Sequence, residues 1–388
     1  MRECKKIKLG ELYEVHNGLS KGKQFFGSGY PFLTFSNVFN NWFLPNELTS
    51  LVQSSEKERE TCSIKKGDVF ITRTSETMDE LGMSSVALKD YPNATYNGFT
   101  KRLRPLTDKV IPEYIGYYLR SQKFRGKFMA FSTMTTRASL ANDDLLSMEV
   151  EIPDKVVQRH IATILYRYDS LIENYQKQIK LLEEAAQRLY KEWFVDLHFP
   201  GHEKTKIVYG VPDGWEKKKA GDLISKVRRT KQVSANNYLN SGYIPVIDQS
   251  RNYIAGYTND IESLVEVTIP YIVFGDHTRV LKYVPFSFAK GADGTQLIMS
   301  NDLERMPQSL FYNSLIEIDL SNYSYARHFK YLKEESILVP SKDIAQRYDK
   351  VVSQYCQSIQ KNREQIRHLT EARDRLLPKL MSREIEVF

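Results

Sequence analysis

Residues 161–193 read IATILYRYDSLIENYQKQIKLLEEAAQRLYKEW, a stretch without glycine or proline. Apolar or aromatic side chains recur in it at alternating steps of four and three residues, at positions 161, 165, 168, 172, 175, 179, 182, 186, 189 and 193. This spacing is the heptad pattern of a coiled-coil seam. Two ordinary core helices are the alternative, but a helix of roughly 35 to 40 residues with one narrow apolar stripe is too long for that role.

The same frame recurs 187 residues later, with Asn362 and Arg373 as polar exceptions. The two helices follow Pro153-Asp154 and Pro340-Ser341, where Asp and Ser can accept hydrogen bonds from free backbone N–H groups. The predicted seam consists of Ile161, Leu165, Tyr168, Ile172, Ile179, Leu182 and Leu189 in the first helix and Val352, Tyr355, Ile359, Ile366, Leu369 and Leu376 in the second.

Shorter matches indicate that the whole chain is an internal repeat. Lys8-Leu9-Gly10-Glu11-Leu12 is echoed by Lys219-Ala220-Gly221-Asp222-Leu223 at an offset of 211, and Glu184-Ala185 by Glu371-Ala372 at an offset of 187. The offset between the two copies is about 212 in the globular parts and 187 in the long helices that follow them. The first globular part is therefore longer than the second by about 25 residues. Two copies of one plan have kept their helices and diverged in their globular parts.

The lengths of these segments predict how they are arranged. We expect a first domain at 1–152, a long helix at 153–194, a linker at 195–215, a second domain at 216–340 and a second long helix at 341–382. Because the linker is short, the second domain must lie at the end of the first helix, and the second helix must run back antiparallel to the first. The expected fold is α+β: two globular domains separated by two long helices that form an antiparallel coiled coil about 55 Å long, with pseudo-two-fold symmetry.

Each globular part combines short strand-like runs with turns and helices. Asp68–Thr72 and Ile269–Phe274 have the composition of buried strands, and Glu113–Ser121 that of a helix. This mixture is typical of α+β domains.

Basic residues cluster in the apparent loops of both domains, beside aromatic and hydroxyl side chains. The net charge of +7 and pI near 9.0 are compatible with binding DNA phosphates, although they are weak signals alone. Arginine and lysine contact phosphates, and arginine reads guanine edges. For each residue alone, a solvated surface charge is the better interpretation, so the prediction depends on their number. The candidates are Lys21, Lys23, Arg73, Arg102 and Arg137 in the first domain and Arg228, Arg229, Lys231, Arg251, His277, Arg279, Lys290 and Arg327 in the second. Gly291, Gly294 and Thr295-Gln296 are typical of a loop that could approach a groove.

Motifs for catalysis or metal binding are not evident in the sequence. It contains no phosphate-binding Gly-x-x-x-x-Gly-Lys-Ser/Thr loop, no Gly-x-Gly-x-x-Gly turn and no Asn-Pro-Pro-Tyr-like methylation motif. His198 and His202 have metal-like spacing, but Pro200-Gly201 between them favours a linker. Pro212-Asp213-Gly214 is best interpreted as a turn. We therefore predict no catalytic residue and no metal in this chain.

The cellular context is predicted from equally general features. Cys4, Cys62 and Cys356 are odd in number and far apart, which favours a reducing compartment. No stretch has the apolar length of a membrane span, and the first residues lack the apolar core of a signal peptide. We expect a cytoplasmic protein with no membrane partner.

The whole chain resembles the specificity subunits of type I restriction-modification systems. The residues that carry the resemblance are Arg188–Asp196, Val211–Glu216, Arg375–Ile385 and the openings of the two helices, where Pro153 is followed by Gln158-Arg159 and Pro340 by Gln346-Arg347. Together they cover both halves of the chain.

The resemblance implies a prokaryotic, DNA-associated subunit. Each domain would be a target recognition domain that reads one half of a bipartite site in double-stranded DNA. The helices would set the gap between the half-sites and dock two methylation subunits, and restriction and translocation subunits would join that core. S-adenosylmethionine, ATP and magnesium would bind the partner subunits, with no cofactor in this chain.

Two other functions remain open from the residues alone. A protein-interaction scaffold without a DNA role would bind its partners independently of salt and DNA. A DNA enzyme with an unrecognised catalytic site would show turnover by the isolated chain.

Overall fold

A computed structural model describes residues 5–75, 81–131, 133–134, 138–139, 141–323 and 327–387. The chain divides into two compact units. Unit 1 comprises Met1–Glu173 and Arg367–Phe388, and unit 2 comprises Asn174–Ile366. The boundaries fall within the two long helices, so each unit contains a globular part together with a section of both helices.

Unit 1 combines small sheets with short helices. Its strands are β1 (Lys5–Lys8), β2 (Tyr13–Asn17), β3 (Phe26–Leu33), β4 (Leu51–Val52), β5 (Val69–Thr72), β6 (Thr74–Ser75), β7 (Ser84–Val86), β8 (Thr95–Tyr96), β9 (Thr100–Pro105), β10 (Thr133–Met134), β11 (Ala138–Ser139) and β12 (Glu149–Ile152). Its short helices are α1 (Leu9–Leu12), α2 (Phe35–Asn40), α3 (Glu56–Thr61), α4 (Pro112–Arg120), α5 (Gln122–Phe131) and α6 (Asn142–Ser147). The α+β class predicted from the sequence is confirmed for this unit.

Unit 2 has the same mixture of elements. Its strands are β13 (Ile207–Val208), β14 (Val211–Pro212), β15 (Glu216–Lys219), β16 (Ile244–Ile247), β17 (Gly256–Thr258), β18 (Leu264–Val265), β19 (Tyr271–Gly275), β20 (Leu281–Val284), β21 (Phe288–Lys290), β22 (Thr295–Ile298) and β23 (Ser336–Val339). Its short helices are α8 (Gln308–Ile316) and α9 (His328–Glu334). The segment predicted as a linker, 195–215, contains the hairpin of β13 and β14, and the predicted turn at Pro212-Asp213-Gly214 begins at the last residue of β14.

The two long helices are α7 (Lys155–Tyr190), which continues into a π-helical turn at Lys191–Val195, and α10 (Lys342–Ser382). The carboxylate of Asp154 accepts the N–H of Val157 at 2.9 Å, which is the capping role expected of it. All thirteen residues of the predicted seam are buried or half-buried. These thirteen side chains are therefore at least partly shielded from solvent.

Within unit 2 the two helices run antiparallel. The Asn362 amide donates to the Gln178 side-chain oxygen at 3.2 Å, and the Tyr348 hydroxyl donates to the carbonyl of Ala186 at 3.3 Å. Residue numbers rise along α7 as they fall along α10, which confirms the predicted direction. In unit 1, Leu165 of α7 and Leu380 of α10 belong to one hydrophobic core.

The sheets show the repeat more clearly than the sequence does. Strand β1 pairs with β12, with Lys5 opposite Ile152, and β15 pairs with β23, with Glu216 opposite Val339. Lys5 and Glu216 are 211 positions apart, and Ile152 and Val339 are 187 positions apart. These are the two offsets found in the sequence. In both units a central strand, β5 or β19, lies between two antiparallel neighbours, and a parallel pair, β3–β8 or β16–β21, stands beside that sheet. The prediction of two diverged copies is confirmed.

The repeated glutamine at each helix opening has a structural role. The buried Gln158 amide donates to the carbonyls of Lys109 at 2.9 Å and Pro153 at 2.8 Å. The Gln346 amide donates to the carbonyl of Glu304 at 2.8 Å. Each glutamine thus ties the start of its long helix to the globular part of its own unit. No helix among the described residues is long and apolar enough to cross a membrane.

Candidate nucleic-acid interface

Three loops of unit 1 meet at the ends of its central strands. The Leu19 N–H donates to the carbonyl of Tyr96 at 2.8 Å, and the Gly98 N–H donates to the carbonyl of Leu19 at 2.9 Å. The Arg73 N–H donates to the carbonyl of Phe99 at 2.9 Å. We call residues 18–25, 73–75 and 97–99 the three-loop site of unit 1. Its loops hold each other by backbone hydrogen bonds, which leaves their side chains free to differ.

Unit 2 builds the same arrangement with other residues. The Val233 N–H donates to the carbonyl of Lys290 at 3.0 Å, and the Ala292 N–H donates to the carbonyl of Val233 at 2.7 Å. The Asp276 N–H donates to the carbonyl of Gly294 at 2.7 Å. Residues 232–238, 276–280 and 291–294 are therefore the three-loop site of unit 2.

One glycine in each site allows this close approach. A Cβ added at Gly98 would lie 2.4 Å from the Ser20 hydroxyl, and one added at Gly291 would lie 2.3 Å from the Tyr238 hydroxyl. A side chain at either position would require the neighbouring Ser20 or Tyr238 side chain to shift. The sequence marked Gly291 as part of a candidate loop but gave no reason to single out Gly98.

Three predicted cations of unit 1 lie on its three-loop site. Lys21 is paired with Glu58 at 2.8 Å and lies over the ring of Phe25, and hydrogen bonding to Lys21 lowers the pKa of the Glu58 carboxyl. Lys23 is exposed on the same loop, and Arg73 is half-buried beside Phe99.

Two other predicted cations of unit 1 are placed differently. Arg102 is only 2% exposed, and its guanidinium donates to the carbonyls of Thr61 at 3.2 Å and Ser63 at 2.7 Å. Those bonds use it as an internal support, so we leave it out of the proposed DNA-contacting set. The sequence could not distinguish it from a surface arginine, because three of the four residues at Lys101–Arg104 are cationic, a composition that does not indicate a buried strand. Arg137 lies outside the described residues.

In unit 2 the side chain of Gln249 joins two loops of the site. Its oxygen accepts the N–H of His277 at 3.1 Å, and its amide donates to the carbonyl of Asp293 at 3.0 Å. The Thr278 hydroxyl donates to the carbonyl of Gln249 at 2.6 Å. Arg251 follows two residues later and is exposed. Gln249 thus brings the loop carrying Arg251 to the turn that carries His277.

The turn at 276–280 places further predicted cations together. Arg279 is exposed and has a left-handed backbone with φ of 60°, which is strained for a residue other than glycine. Arg327 is also exposed, and the next residue, His328, donates its N–H to the carbonyl of Asp276 at 3.0 Å. His277, Arg279 and Arg327 therefore surround one turn.

The remaining predicted cations of unit 2 are more dispersed. Lys290 is half-buried, and burial lowers the pKa of its ammonium group. Lys231 forms ion pairs with Asp260 at 2.8 Å and Glu262 at 3.2 Å. Arg228 and Arg229 are exposed on the segment between Ser225 and Val233, whose backbones bond to the strands beside it.

Lys282 is a structural support that the sequence did not indicate. It is 4% exposed, and its ammonium donates to the carbonyls of Asp248 at 2.8 Å and Asn252 at 2.5 Å. These bonds close the loop that carries Gln249 and Arg251. Burial lowers the pKa of Lys282 to about 8, although Asp248 acts in the opposite direction. A lysine in a short strand carries no sequence signal of such a role.

Metal-binding clusters of three or more His, Cys, Asp or Glu side chains are absent from the part of the chain that the structure describes. The rings of His198 and His202 lie 5.4 Å apart, but one faces Glu192 and the other the carbonyl of Phe199. The described loops present hydrogen-bonding and charged groups, which suit recognition of phosphates and base edges.

Comparisons with known proteins agree with one another. A family model for the type I restriction modification DNA specificity domain matches residues 1–184. The chain is 26% identical over 421 aligned residues to the specificity subunit of the type I restriction enzyme MjaIX of Methanocaldococcus jannaschii, covering 99% of this chain and 94% of that protein. It is 29% identical over 201 residues to the specificity subunit of the type I restriction enzyme HindI of Haemophilus influenzae, covering 50% of this chain and 42% of that protein.

A solved structure shares the fold along nearly the whole chain. It is the S subunit of a type I restriction-modification system from M. genitalium, with a TM-score of 0.60 and 17% sequence identity, covering 98% of this chain and 96% of that one.

Proposed function

The chain belongs to the specificity subunits of type I restriction-modification systems, and from this we propose that each unit reads one half of a bipartite site in double-stranded DNA. The subunit is not catalytic, and catalysis lies in its partner subunits. The three-loop sites are the proposed reading surfaces.

One observation carries the proposal: the same three-loop site is built twice on one topology, with different side chains. The backbone bonds of Arg73 to Phe99 and of Asp276 to Gly294 are equivalent, yet the first site offers Lys21, Lys23 and Arg73. The second offers His277 and Arg279, with Arg251 and Arg327 on segments that are hydrogen-bonded to it. Two surfaces of one design with different hydrogen-bonding groups suit the recognition of two different half-sites.

The long helices have a separate proposed role. We propose that α7 and α10 set the gap between the half-sites and dock two methylation subunits, which restriction and translocation subunits then join. Exposed apolar side chains on α7 support the docking, among them Tyr166, Leu171 and Leu181, which are 42%, 46% and 63% exposed. S-adenosylmethionine, ATP and magnesium would then bind the partner subunits, in a prokaryotic cytoplasm.

Selection of DNA from a random duplex library tests the proposal. The full chain is expressed with its methylation subunits, and the bound DNA is sequenced. We expect a motif of two short specified blocks separated by an unspecified gap.

Two matched variants assign the blocks. Arg73→Ala should relax the specificity of one block, and Arg251→Ala that of the other, each weakening binding by about 5-fold to 150-fold. If either variant weakened both blocks equally and without sequence preference, direct reading by separate units would be wrong. Selection of no motif at all would refute DNA recognition.

A further inference from the structure

We propose that Phe99 is a specificity-determining residue that contacts the C5-methyl group of a thymine in the half-site read by unit 1. This inference rests on the proposed function and adds a residue that the charge pattern could not indicate. Phe99 is 57% exposed on the 97–99 loop of the three-loop site.

The loop holds this aromatic ring in a defined place. The Phe99 N–H donates to the side-chain oxygen of Asn97 at 2.7 Å, and the Phe99 carbonyl accepts the N–H of Arg73 at 2.9 Å. The Thr100 N–H closes the turn by donating to the carbonyl of Asn97 at 3.0 Å. A fixed backbone reduces the entropy lost when the side chain is ordered on DNA.

The chemistry of the site favours a base over a phosphate as the partner of Phe99. A phenyl ring cannot bind a phosphate oxygen, whereas the thymine methyl group is the apolar feature of the major groove. Arg73, held against the same loop, can reach a neighbouring base edge or phosphate. Two adjoining loops thus combine an apolar and a cationic contact.

Unit 2 cannot make the same contact. Gly294 occupies the equivalent position, with φ of 71°, and a Cβ there would lie 2.7 Å from the ring of His277 and 3.0 Å from the side chain of Gln249. The apolar contact is therefore assigned to the half-site of unit 1 alone.

Uracil substitution isolates the contact, because it removes only the methyl group from thymine. The full chain in complex with its methylation subunits is titrated with duplexes in which each thymine of the specified site is replaced in turn. We expect one position, in the half-site that Arg73→Ala relaxes, to weaken binding about fourfold, the value of one buried methyl group. Phe99→Ala should weaken binding to the thymine duplex about 10-fold and abolish the sensitivity to uracil.

Leu106→Ala is the matched control. Leu106 is also 57% exposed and follows the other end of β9, so its replacement should change neither the affinity nor the uracil effect. Uracil sensitivity that persists in Phe99→Ala would overturn the inference, as would a unit 1 half-site in which no thymine methyl matters or only G·C pairs are specified. If the Phe99 ring were instead inserted between two bases, a neighbouring 2-aminopurine would become more fluorescent on binding and uracil substitution would have no effect. That result would also overturn the inference. Failure of the unaltered complex to prefer its site over a scrambled duplex would refute the proposed function itself.

Discussion

The guanidinium of Arg373 on α10 donates to the carboxylate of Asp169 on α7 at 2.5 Å, within unit 1. The other oxygen of Asp169 accepts the hydroxyl of Tyr117, and Arg373 lies over the ring of Trp42. Position 373 is a polar interruption of the predicted seam, and this pair explains it. Unit 2 has its own ion pair between the two helices. Arg363 of α10 donates to Glu183 of α7 at 3.0 Å and lies over the ring of Tyr253 at 3.7 Å.

The Asp169–Arg373 pair should contribute to stability mainly because the loss of Asp169 leaves buried donors without their acceptor. The side chains are 17% and 11% exposed. Asp169→Ala should lower the free energy of unfolding by about 1 to 3 kcal/mol, because Arg373 then keeps only the more exposed Asp374, at 2.8 Å, and the Tyr117 hydroxyl loses its acceptor. Denaturant titration measures the effect.

Replacing both partners provides the control for that experiment. Asp169→Leu with Arg373→Met should recover most of the loss, because no charge is then left buried. Glu184→Ala, which breaks the exposed contact with Lys180 at 3.9 Å, should change stability by less than about 1 kcal/mol. A loss as large for Glu184→Ala as for Asp169→Ala would contradict this account.

Replacing Arg279 should affect the stability of the protein and its DNA binding in different ways. Its left-handed backbone costs of order 1 kcal/mol, which glycine would not incur. Arg279→Gly should therefore keep or raise the melting temperature while weakening DNA binding. Arg279→Ala should weaken binding without the gain in stability. A glycine variant that bound DNA as well as the natural chain would remove Arg279 from the reading surface.

Lys282 should make the stability of unit 2 depend on pH. Its pKa falls from 10.5 to about 8 on folding, so between these values the unfolded chain holds more protons than the folded one. The free energy of unfolding should then rise as the pH increases from 8 towards 10. Urea titrations at several pH values measure this free energy. They are made on a Trp42→Phe variant, so that tryptophan fluorescence reports only Trp193 and Trp215 of unit 2.

Lys282→Met tests the assignment of that pH dependence. The variant should be less stable, because the carbonyls of Asp248 and Asn252 lose their donor. Its stability should no longer rise between pH 8 and 10. An unchanged slope would show that another group is responsible.

Shortening both long helices should shorten the DNA gap. Removing residues 170–176 and 364–370 takes one heptad from each helix while keeping the seam in register and leaving Asp169, Glu183, Arg363 and Arg373 in place. Seven residues span about 10 Å of helix, or about three base pairs. Library selection should yield the same two blocks with a gap about three base pairs shorter. An unchanged gap would refute the role of the helices as a spacer.

The sequence was most informative where one physical constraint acts on many residues. The heptad frame recurs in both long helices because most seam side chains are shielded from water. The sequence offsets of 211 and 187 reappear in the pairing of β1 with β12 and of β15 with β23. Strands such as β5 and β19 followed from their apolar runs. The fold class was therefore accessible without coordinates.

The proposed reading surface was less predictable, because charge alone does not tell whether a side chain faces solvent. The sequence does not distinguish Arg102 from Arg73, yet strand β9 directs the Arg102 side chain inward to the carbonyls of Thr61 and Ser63. Lys282 and Gln249 act through backbone carbonyls far away in sequence, and such contacts leave no local pattern. Phe99 is apolar and so escaped a search for cations.

Mapping of adenine methylation tests the central claim most directly. A host that lacks methylation is given the methylation subunits with the natural chain, or with a chain whose residues 216–340 are replaced by those of another specificity subunit. We predict a split motif with the natural chain, and a motif changed in one block only with the exchanged one. Methylation at a single unbroken motif, or the same motif with both chains, would contradict recognition of two half-sites by two units.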